Sequence, residues 1–197
     1  MTESAMGRRE RKKAATRQAL ADAAMELFLL RGFDQVSVRE IADAADVSTT
    51  TLFKHFPGKE ALVFDEDVDH EAELVAVVRD RAPGESIPAA LRRYVLEAVE
   101  RVRGDPRWAS FVALSESSNA LRSYADRMWM RHRAALAAAI AEQAGCAGDD
   151  PRCAALAHFA LQTRALARGP QPEEAVAAAF DLLENGWRAA EQESERS

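Results

Sequence analysis

Four consecutive hydroxyl residues, Ser-Thr-Thr-Thr, occupy positions 48–51 in a stretch that otherwise favours helix. Serine and threonine neither fill a hydrophobic core nor promote helix, but each can donate and accept hydrogen bonds. Lys54 and His55 follow within one helical turn and add a positive charge and an imidazole. This combination predicts a polar partner outside the local fold.

A cluster of basic residues indicates that this partner is negatively charged. Six Lys and Arg residues lie between positions 8 and 17, whereas the formal net charge of the chain is −6. Residues 1–59 hold ten Lys/Arg and eight Asp/Glu, so the acidic excess lies beyond position 59. A basic arm on an acidic protein indicates a localised contact with a polyanion. The alternative interpretation of such an arm is a solvated, disordered tail.

The overall composition is that of an ordinary globular protein. The chain has 197 residues, of which 48% are hydrophobic and 29% charged. It contains no uncharged apolar run of about 18 residues, and its first residues are polar and basic, so we expect neither a membrane span nor secretion but a cytoplasmic protein. Cys146 and Cys153 are too few for a disulfide framework or a four-cysteine zinc site, and we interpret them as reduced thiols.

The hydroxyl residues lie in a chain whose segments have helical length. Glycine and proline divide the chain into segments of helical length, and strand signals are nearly absent, which predicts an all-α fold of about nine helices. Leu20, Ala24, Leu27 and Phe28 follow the spacing of one helix face. Gly32 is placed to end that helix.

Two short helices follow with a tight turn between them. Ser37 and Glu40 have the spacing of a capping box at the start of the first helix. Asp46 lies in the turn, where we expect positive φ, and Ser48 caps the second helix. This pattern is typical of a helix-turn-helix, whose second helix enters the major groove of DNA by its first turn. Hydroxyl groups there can reach base edges or phosphates, and a threonine methyl can contact a thymine methyl.

The sequence from the basic arm through LFLLRGF and SVREIADAADVSTTTLFKHFPGKEAL resembles the DNA-binding domain of the tetracycline-repressor (TetR) family. The resemblance is close over about residues 10–64 and extends to the rest only in length, helical content and order. It implies a three-helix DNA-binding head at residues 1–59 and a helical ligand-binding and dimerisation domain at residues 60–197. Phe53 stands where the family usually has tyrosine, and Asp46 replaces the usual turn glycine.

The resemblance also implies which residues contact DNA. Ser37 and Arg39 would reach phosphate or groove from the first short helix, and Lys54 and His55 would hold phosphates. Lys59 would anchor a phosphate at the start of the fourth helix. The full predicted set is Arg11, Lys12, Ser37, Arg39, Ser48, Thr49, Thr50, Thr51, Lys54, His55 and Lys59.

The second domain is predicted in outline. We expect a long helix from Lys59 to about Arg81, followed by helices at Ser86–Arg103, Pro106–Ser117, Asn119–Ala144, Pro151–Arg168 and Pro172–Gln192. The last two are rich in alanine, which favours a four-helix dimer interface, although a buried monomer core explains the same pattern. Bulky and weakly polar residues of the middle helices form the predicted ligand site: Tyr94, Trp108, Phe111, Met128, Trp129, His132, His158 and Phe159.

We therefore expect a homodimeric transcription regulator, a repressor that a small molecule releases from a palindromic operator. Two alternatives are a helical protein-interaction module without a DNA role and a redox-responsive regulator that uses Cys146 and Cys153. An enzyme is not expected, because the chain has no Gly-rich phosphate loop, no G-x-S-x-G and no HExxH. His70 with Glu66 and Asp67 offers metal-ligand types, but we interpret this run as an exposed acidic face and expect no metal or cofactor.

Overall fold

The computed structural model describes residues 7–166 and 169–194, and regular structure in these ranges is entirely helical. The helices are α1 (Arg8–Arg31), α2 (Val38–Ala44), α3 (Thr49–His55), α4 (Asp67–Arg79), α5 (Ile87–Val102), α6 (Pro106–Glu116), α7 (Asn119–Ala144), α8 (Pro151–Leu166) and α9 (Pro172–Ser194). Two short 3₁₀ turns lie at Phe33–Gln35 and Glu60–Leu62. The predicted all-α fold is confirmed. Within the described ranges, no helix combines the length and hydrophobicity needed to cross a lipid bilayer.

The predicted start of the fourth helix is wrong, and the residues of the predicted basic arm are helical. The basic residues from Arg8 onward lie on the first turns of α1 and not on an extended tail. The fourth helix begins at Asp67, because the residues after Lys59 form a 3₁₀ turn and bury Ala61, Leu62 and Val63 in succession. An α-helix with one buried and one exposed face cannot bury three successive side chains, because they point in different directions around the helix axis. At the other end, α8 is described to Leu166, and the predicted residues 167–168 lie outside the described residues.

The chain forms two compact units. Unit 1 comprises the residues up to Glu66 together with Pro106–Asp126, and unit 2 comprises Asp67–Asp105 together with the residues from Arg127 onward. The division falls within α7. Helix α6 belongs to unit 1 because its Leu114 lies in the core of that unit, together with Leu121 near the start of α7. The boundary expected near Lys59 remains a prediction of where the DNA-binding function ends.

The core of unit 1 is built on α1. Leu20 and Ala24 are fully buried, Phe28 is 1% exposed and Leu27 is half-buried, as the periodicity predicts. Gly32 ends the helix with φ of 83°, and its N–H donates to the Phe28 carbonyl over 2.8 Å. Positive φ costs glycine little, so the chain can turn sharply here toward α2.

The turn between α2 and α3 is a Schellman motif with an aspartate in the left-handed position. Asp46 has φ of 53°, the only positive φ outside glycine among the described residues. The Val47 N–H donates to the Ala42 carbonyl over 2.9 Å, and the Asp46 N–H donates to the Asp43 carbonyl over 3.2 Å. These are the two bonds that define the motif. The predicted positive φ at Asp46 is confirmed.

We expect Asp46→Val to lower the free energy of unfolding by about 1–2 kcal/mol, because a β-branched residue is strained in the left-handed region. Asp46→Gly is the matched control, since it changes the same side chain without that strain and should leave stability near the wild-type value or above it. Urea unfolding of the full chain measures both. A valine variant as stable as the glycine variant would contradict the assigned backbone conformation.

Unit 2 has its own core, formed by α4, α5, α7, α8 and α9. Leu91 of α5, Leu136 and Ile140 of α7 and Phe180 of α9 are all at most 1% exposed. Helix α9 packs against both α5 and α8. The inner faces of the last two helices are therefore buried within the unit.

Candidate nucleic-acid interface

Helix α3 is fixed at its start by Ser48 and along its inner face by Leu52. The Ser48 Oγ accepts a hydrogen bond from the Thr51 N–H over 3.1 Å and lies 2.9 Å from the Thr51 Oγ1. Leu52 is fully buried, and Phe56, which follows the helix, is 1% exposed. The predicted N-cap is confirmed, and α3 is held with its opposite face outward.

The outward face of α3 carries a hydroxyl, an aromatic ring and a cation. Thr50 and Lys54 are exposed and lie four residues apart, which places them side by side on a helix. Phe53 between them is 53% exposed, whereas Thr49 and Thr51 are half-buried. The helix contains no acidic residue. We call Thr50, Phe53 and Lys54 the α3 strip, and it suits contact with a polyanion that also presents apolar groups.

The start of α2 is closed by the predicted capping box. The Ser37 Oγ accepts from the Glu40 N–H over 3.2 Å, and the Glu40 carboxylate accepts from the Ser37 N–H and hydroxyl over 2.8 Å each. Arg31 adds an ion pair of 2.7 Å to the same carboxylate. The backbone and side-chain bonds from Ser37, then Arg31, lower the pKa of Glu40 to about 2, so Glu40 stays ionised near neutral pH.

Ser37 and Arg39, the two DNA contacts predicted at the start of α2, are not equally able to bind a phosphate. The Ser37 hydroxyl already donates to Glu40, so a contact with phosphate would compete with the capping box. The Arg39 side chain is 85% exposed and makes a loose ion pair of 3.8 Å with Asp43. Because surface pairs of this kind contribute little, Arg39 can exchange Asp43 for a phosphate at small cost.

Arg17 positions α3, a function that the sequence did not indicate. Its Nη1 donates to the His55 carbonyl over 3.0 Å, and its Nη2 donates to the Asp65 carbonyl. Its guanidinium carbon also lies 4.3 Å from the centre of the Phe56 ring. A cation at the carbonyl end of a helix is favourable. Arg17 therefore links α1 to the end of α3, although in the sequence it belongs to the cluster of basic residues between positions 8 and 17.

His55 is half-buried at the end of α3. Burial, followed by repulsion from Lys13 and Arg17, lowers its pKa below the usual value, so the imidazole is neutral near pH 7. Its Nδ1 is buried and has no hydrogen-bond partner among the described residues. A contact with phosphate would therefore come from Nε2, as a neutral hydrogen bond.

Lys59 makes contacts within unit 1. Its Nζ donates to the Phe33 carbonyl over 2.8 Å and to the Val36 carbonyl over 2.9 Å, and it lies 4.1 Å from the centre of the Phe33 ring. Lys59 precedes a 3₁₀ turn and not α4, so its expected place at the start of the fourth helix is wrong. A phosphate contact would use its third ammonium hydrogen and remains a prediction.

Arg11 and Lys12 lie exposed on the first turns of α1. The Lys12 carbonyl accepts from the Thr16 hydroxyl over 2.9 Å, so the backbone there is regular helix with an added side-chain bond. A helix holds basic side chains at fixed spacing, which a disordered arm does not. Their contact with DNA remains a prediction.

Comparisons with known proteins decide the family. A family model described as "Bacterial regulatory proteins, tetR family" matches residues 20–65, which run from the middle of α1 to just after the second 3₁₀ turn. The HTH-type transcriptional repressor Rv1474c of Mycobacterium tuberculosis is 30% identical over 89% of this chain and 94% of its own length. The chain belongs to the TetR family. It is accordingly a DNA-binding transcriptional regulator, and the α2–α3 pair is its helix-turn-helix.

Two further relatives of this TetR-family regulator match along nearly the whole chain. A putative mycofactocin biosynthesis transcriptional regulator, MftR of Mycobacterium tuberculosis, is 28% identical over 93% of this chain and 96% of its own length. The structure of the transcriptional regulator FadR from Bacillus subtilis, in complex with stearoyl-CoA, has a TM-score of 0.53 and 16% identity, covering 84% of this chain and 96% of FadR. At that identity, the likeness to FadR shows the fold alone.

The predicted ligand residues of the TetR-family chain are divided between the units. Trp108 and Phe111 belong to unit 1, where their rings stack 5.3 Å apart and Phe111 meets Phe64 edge-on at 5.9 Å. The other six belong to unit 2: Tyr94, Met128, Trp129, His132, His158 and Phe159. Their assignment to one ligand site remains a prediction.

Within unit 2, His132 is the buried polar centre. It is fully buried, its Nε2 lies 2.7 Å from the Asp67 Oδ1, and Trp129 packs edge-on at 4.8 Å. Arg131 also pairs with Asp67. The His132 Nδ1 is buried and has no hydrogen-bond partner among the described residues. His132 was predicted from the sequence as a ligand residue. Its pairing with Asp67 could not be predicted, because the two residues lie 65 positions apart.

The remaining predicted ligand residues have varied surroundings. Met128 is buried, His158 is half-buried and Phe159 is 53% exposed. Tyr94 donates its hydroxyl to Glu73 over 3.3 Å and lines an open groove of about 370 Å³ with several charged residues. This groove is more charged than the mostly apolar cavity that small-molecule sites usually present.

Phe53→Tyr is expected to tighten duplex binding, because the added hydroxyl would point outward from α3 and could donate to a phosphate. A net gain of about 0.5–1.5 kcal/mol for each hydrogen bond is typical. Fluorescence anisotropy with a labelled duplex measures the change. Thermal stability serves as the control and should not move, since Phe53 is already 53% exposed. Unchanged affinity would mean that position 53 does not approach the backbone of DNA.

Proposed function

We propose that this TetR-family chain is a dimeric repressor that binds a palindromic duplex through α3 and leaves it when a small molecule binds unit 2. The α3 strip is the observation that supports this proposal most strongly. Its hydroxyl, ring and cation face outward, while Leu52 and the Arg17 bonds hold the helix from behind. Recognition helices of this motif enter the major groove with their first turn.

Exposed apolar residues on the last two helices support the dimer. On α8, Phe159 and Leu166 are 53% and 41% exposed, and they share one face with the exposed Ala155. On α9, Leu182 is 77% exposed, one turn after the exposed Ala178. The opposite faces already fill the core of unit 2, so a monomer core does not account for these outward residues. We assign them to an interface with α8 and α9 of a second copy.

A buried polar pair in unit 2 supports the small-molecule effector. Ligand sites in proteins are mostly apolar with a few fixed polar groups. His132, held by Asp67 and packed against Trp129, is such a group. The fold relative FadR carries stearoyl-CoA. An effector needs a coupling free energy of only about 1–3 kcal/mol to change operator affinity by 5- to 150-fold.

We place the action of the protein in the cytoplasm, where bacterial chromosomal DNA lies, and assign it no catalytic activity. The rival function is a protein-interaction module whose basic residues bind an acidic partner. The regulator and the protein-interaction module differ in what the exposed basic side chains bind. Only the regulator requires a duplex with two half-sites, each contacted by one copy of α3.

Selection from a library of genomic duplex fragments at low salt tests this proposal. We expect a palindromic duplex to be enriched and to bind two chains, as measured by the mass of the complex. If the dimer neutralises about eight phosphates, the logarithm of the affinity should fall with the logarithm of the salt concentration with a slope of about −7. Failure to enrich any duplex, or a slope near zero, would favour the protein-interaction module.

A further inference from the structure

Three potential metal ligands converge where α7 meets α8. The Sγ atoms of Cys146 and Cys153 and a carboxylate oxygen of Asp150 all lie within 4.8 Å of one another. Cys153 is 1% exposed, whereas Cys146 and Asp150 are half-buried, so the cluster is open to solvent on one side. The sequence predicts two reduced thiols and no metal, because the number of cysteines contains no information about their spatial neighbours.

Both cysteines are placed by the ends of rigid helices. Gly145 ends α7 with φ of 66°, and the Cys146 N–H donates to the Ala141 carbonyl over 3.0 Å. Asp150 precedes α8, and its carbonyl accepts from the Cys153 N–H over 3.1 Å. Because capping bonds fix the backbone on both sides, the ligand atoms are held close together before any cation binds.

The donor set suits a borderline-soft divalent cation. Zinc binds cysteine sulfur at about 2.3 Å and carboxylate oxygen at about 2.0–2.2 Å in tetrahedral geometry, which places ligand atoms about 3.5 Å apart. The ligand atoms therefore have to approach one another by at most about 1 Å, which small rotations of their side chains can supply. Three protein ligands leave the fourth position for water or an external ligand.

Arg152 already places a positive charge on this cluster. Its Nε and Nη2 donate to the Asp150 carboxylate over 3.0 and 2.6 Å, and its backbone N–H donates to the same group over 2.8 Å. The bonds from Arg152 lower the pKa of Asp150 to about 2. The Arg152 side chain is 40% exposed, so its guanidinium can turn to solvent when another cation takes Asp150.

We propose that Cys146, Asp150 and Cys153 form a binding site for a thiophilic divalent cation of the zinc class, and that this cation displaces the guanidinium of Arg152 from Asp150. On binding, each thiol forms a metal–sulfur bond and releases its proton to solvent, with no change of oxidation state. This site does not depend on the proposed DNA function.

Titration of the reduced, chelator-treated full chain with Co²⁺ tests the proposal, because cobalt reports sulfur ligands by a charge-transfer band in the near ultraviolet. We expect one Co²⁺ for each chain, displaced by Zn²⁺. Cys146→Ser should weaken binding about tenfold or more and reduce the band. Asp150→Asn should also weaken binding, although asparagine caps a helix as well as aspartate does. The matched control is Asp149→Asn, which changes the adjacent exposed acid and should bind like the wild type.

Replacing Arg152 should change the Co²⁺ affinity in the direction opposite to that of the ligand substitutions. Arg152→Gln removes the charged hydrogen-bond donor that competes with the metal for Asp150, and it should tighten Co²⁺ binding about tenfold. A purely structural Arg152 would instead leave affinity unchanged or lower it, and either result would overturn its assigned role. A reduced wild-type chain that shows no sulfur band at saturating Co²⁺, or a Cys146→Ser variant with wild-type affinity, would overturn the site itself.

Discussion

Replacing Leu52 by alanine is expected to lower the free energy of unfolding by about 2–5 kcal/mol. Leu52 is fully buried and is the one buried residue of α3, so it holds the helix on the core formed with α1 and α2. Its truncation leaves a cavity that close-packed neighbours fill only in part. Since small domains have total stabilities of about 5–15 kcal/mol, this loss is large, and duplex binding should weaken with it.

Leu30→Ala is the matched control for this experiment. Leu30 lies on α1 and is 78% exposed, so the same substitution should change the free energy of unfolding by no more than about 0.5 kcal/mol. Urea unfolding of the full chain, followed by circular dichroism, measures both variants. Equal stability of the two variants would show that α3 does not pack through Leu52.

Replacing Lys54 by alanine is expected to weaken binding to every duplex alike. Lys54 is exposed at the end of α3, where a cation reaches a phosphate and carries no sequence information. A hydrogen bond to a charged group contributes about 1.5–3 kcal/mol, and a dimer loses two of them. The slope of affinity against salt should also become shallower by about 2, because two phosphate contacts are removed.

Arg133→Ala provides the control for net charge. Arg133 is an exposed cation on α7 within unit 2, so its removal changes the charge of the chain by the same amount. Anisotropy titrations at several salt concentrations should show a wild-type slope for this variant. If both substitutions reduce the slope equally, Lys54 acts through the overall charge and not through a phosphate contact.

Features that depend on neighbouring residues could be predicted from the sequence. The Ser37–Glu40 capping box, the positive φ at Asp46 and the N-cap at Ser48 are all confirmed. In each case the hydrogen bonds join residues three to five positions apart, so residue type and spacing contain the necessary information.

Features that depend on distant residues could not be predicted. Arg17 and Lys59 resemble DNA-binding cations in the sequence, but their side chains bond to carbonyls that lie 38 and 26 residues away. The membership of α6 in unit 1 and the pairing of His132 with Asp67 have the same origin. The local sequence pattern does not indicate whether a charged side chain will bond within the protein or bind DNA.

A selection from randomised duplexes with wild type, Thr50→Ala and Lys54→Ala in parallel tests whether the first turn of α3 reads bases. Thr50 is exposed on the first turn of α3, so its loss should change the preferred base at one position of each half-site and reduce discrimination there by about 1–3 kcal/mol. Lys54→Ala should select the wild-type sequence with lower affinity. If Thr50→Ala also selects the wild-type sequence, α3 does not read bases through its first turn, which would contradict its assignment as a recognition helix.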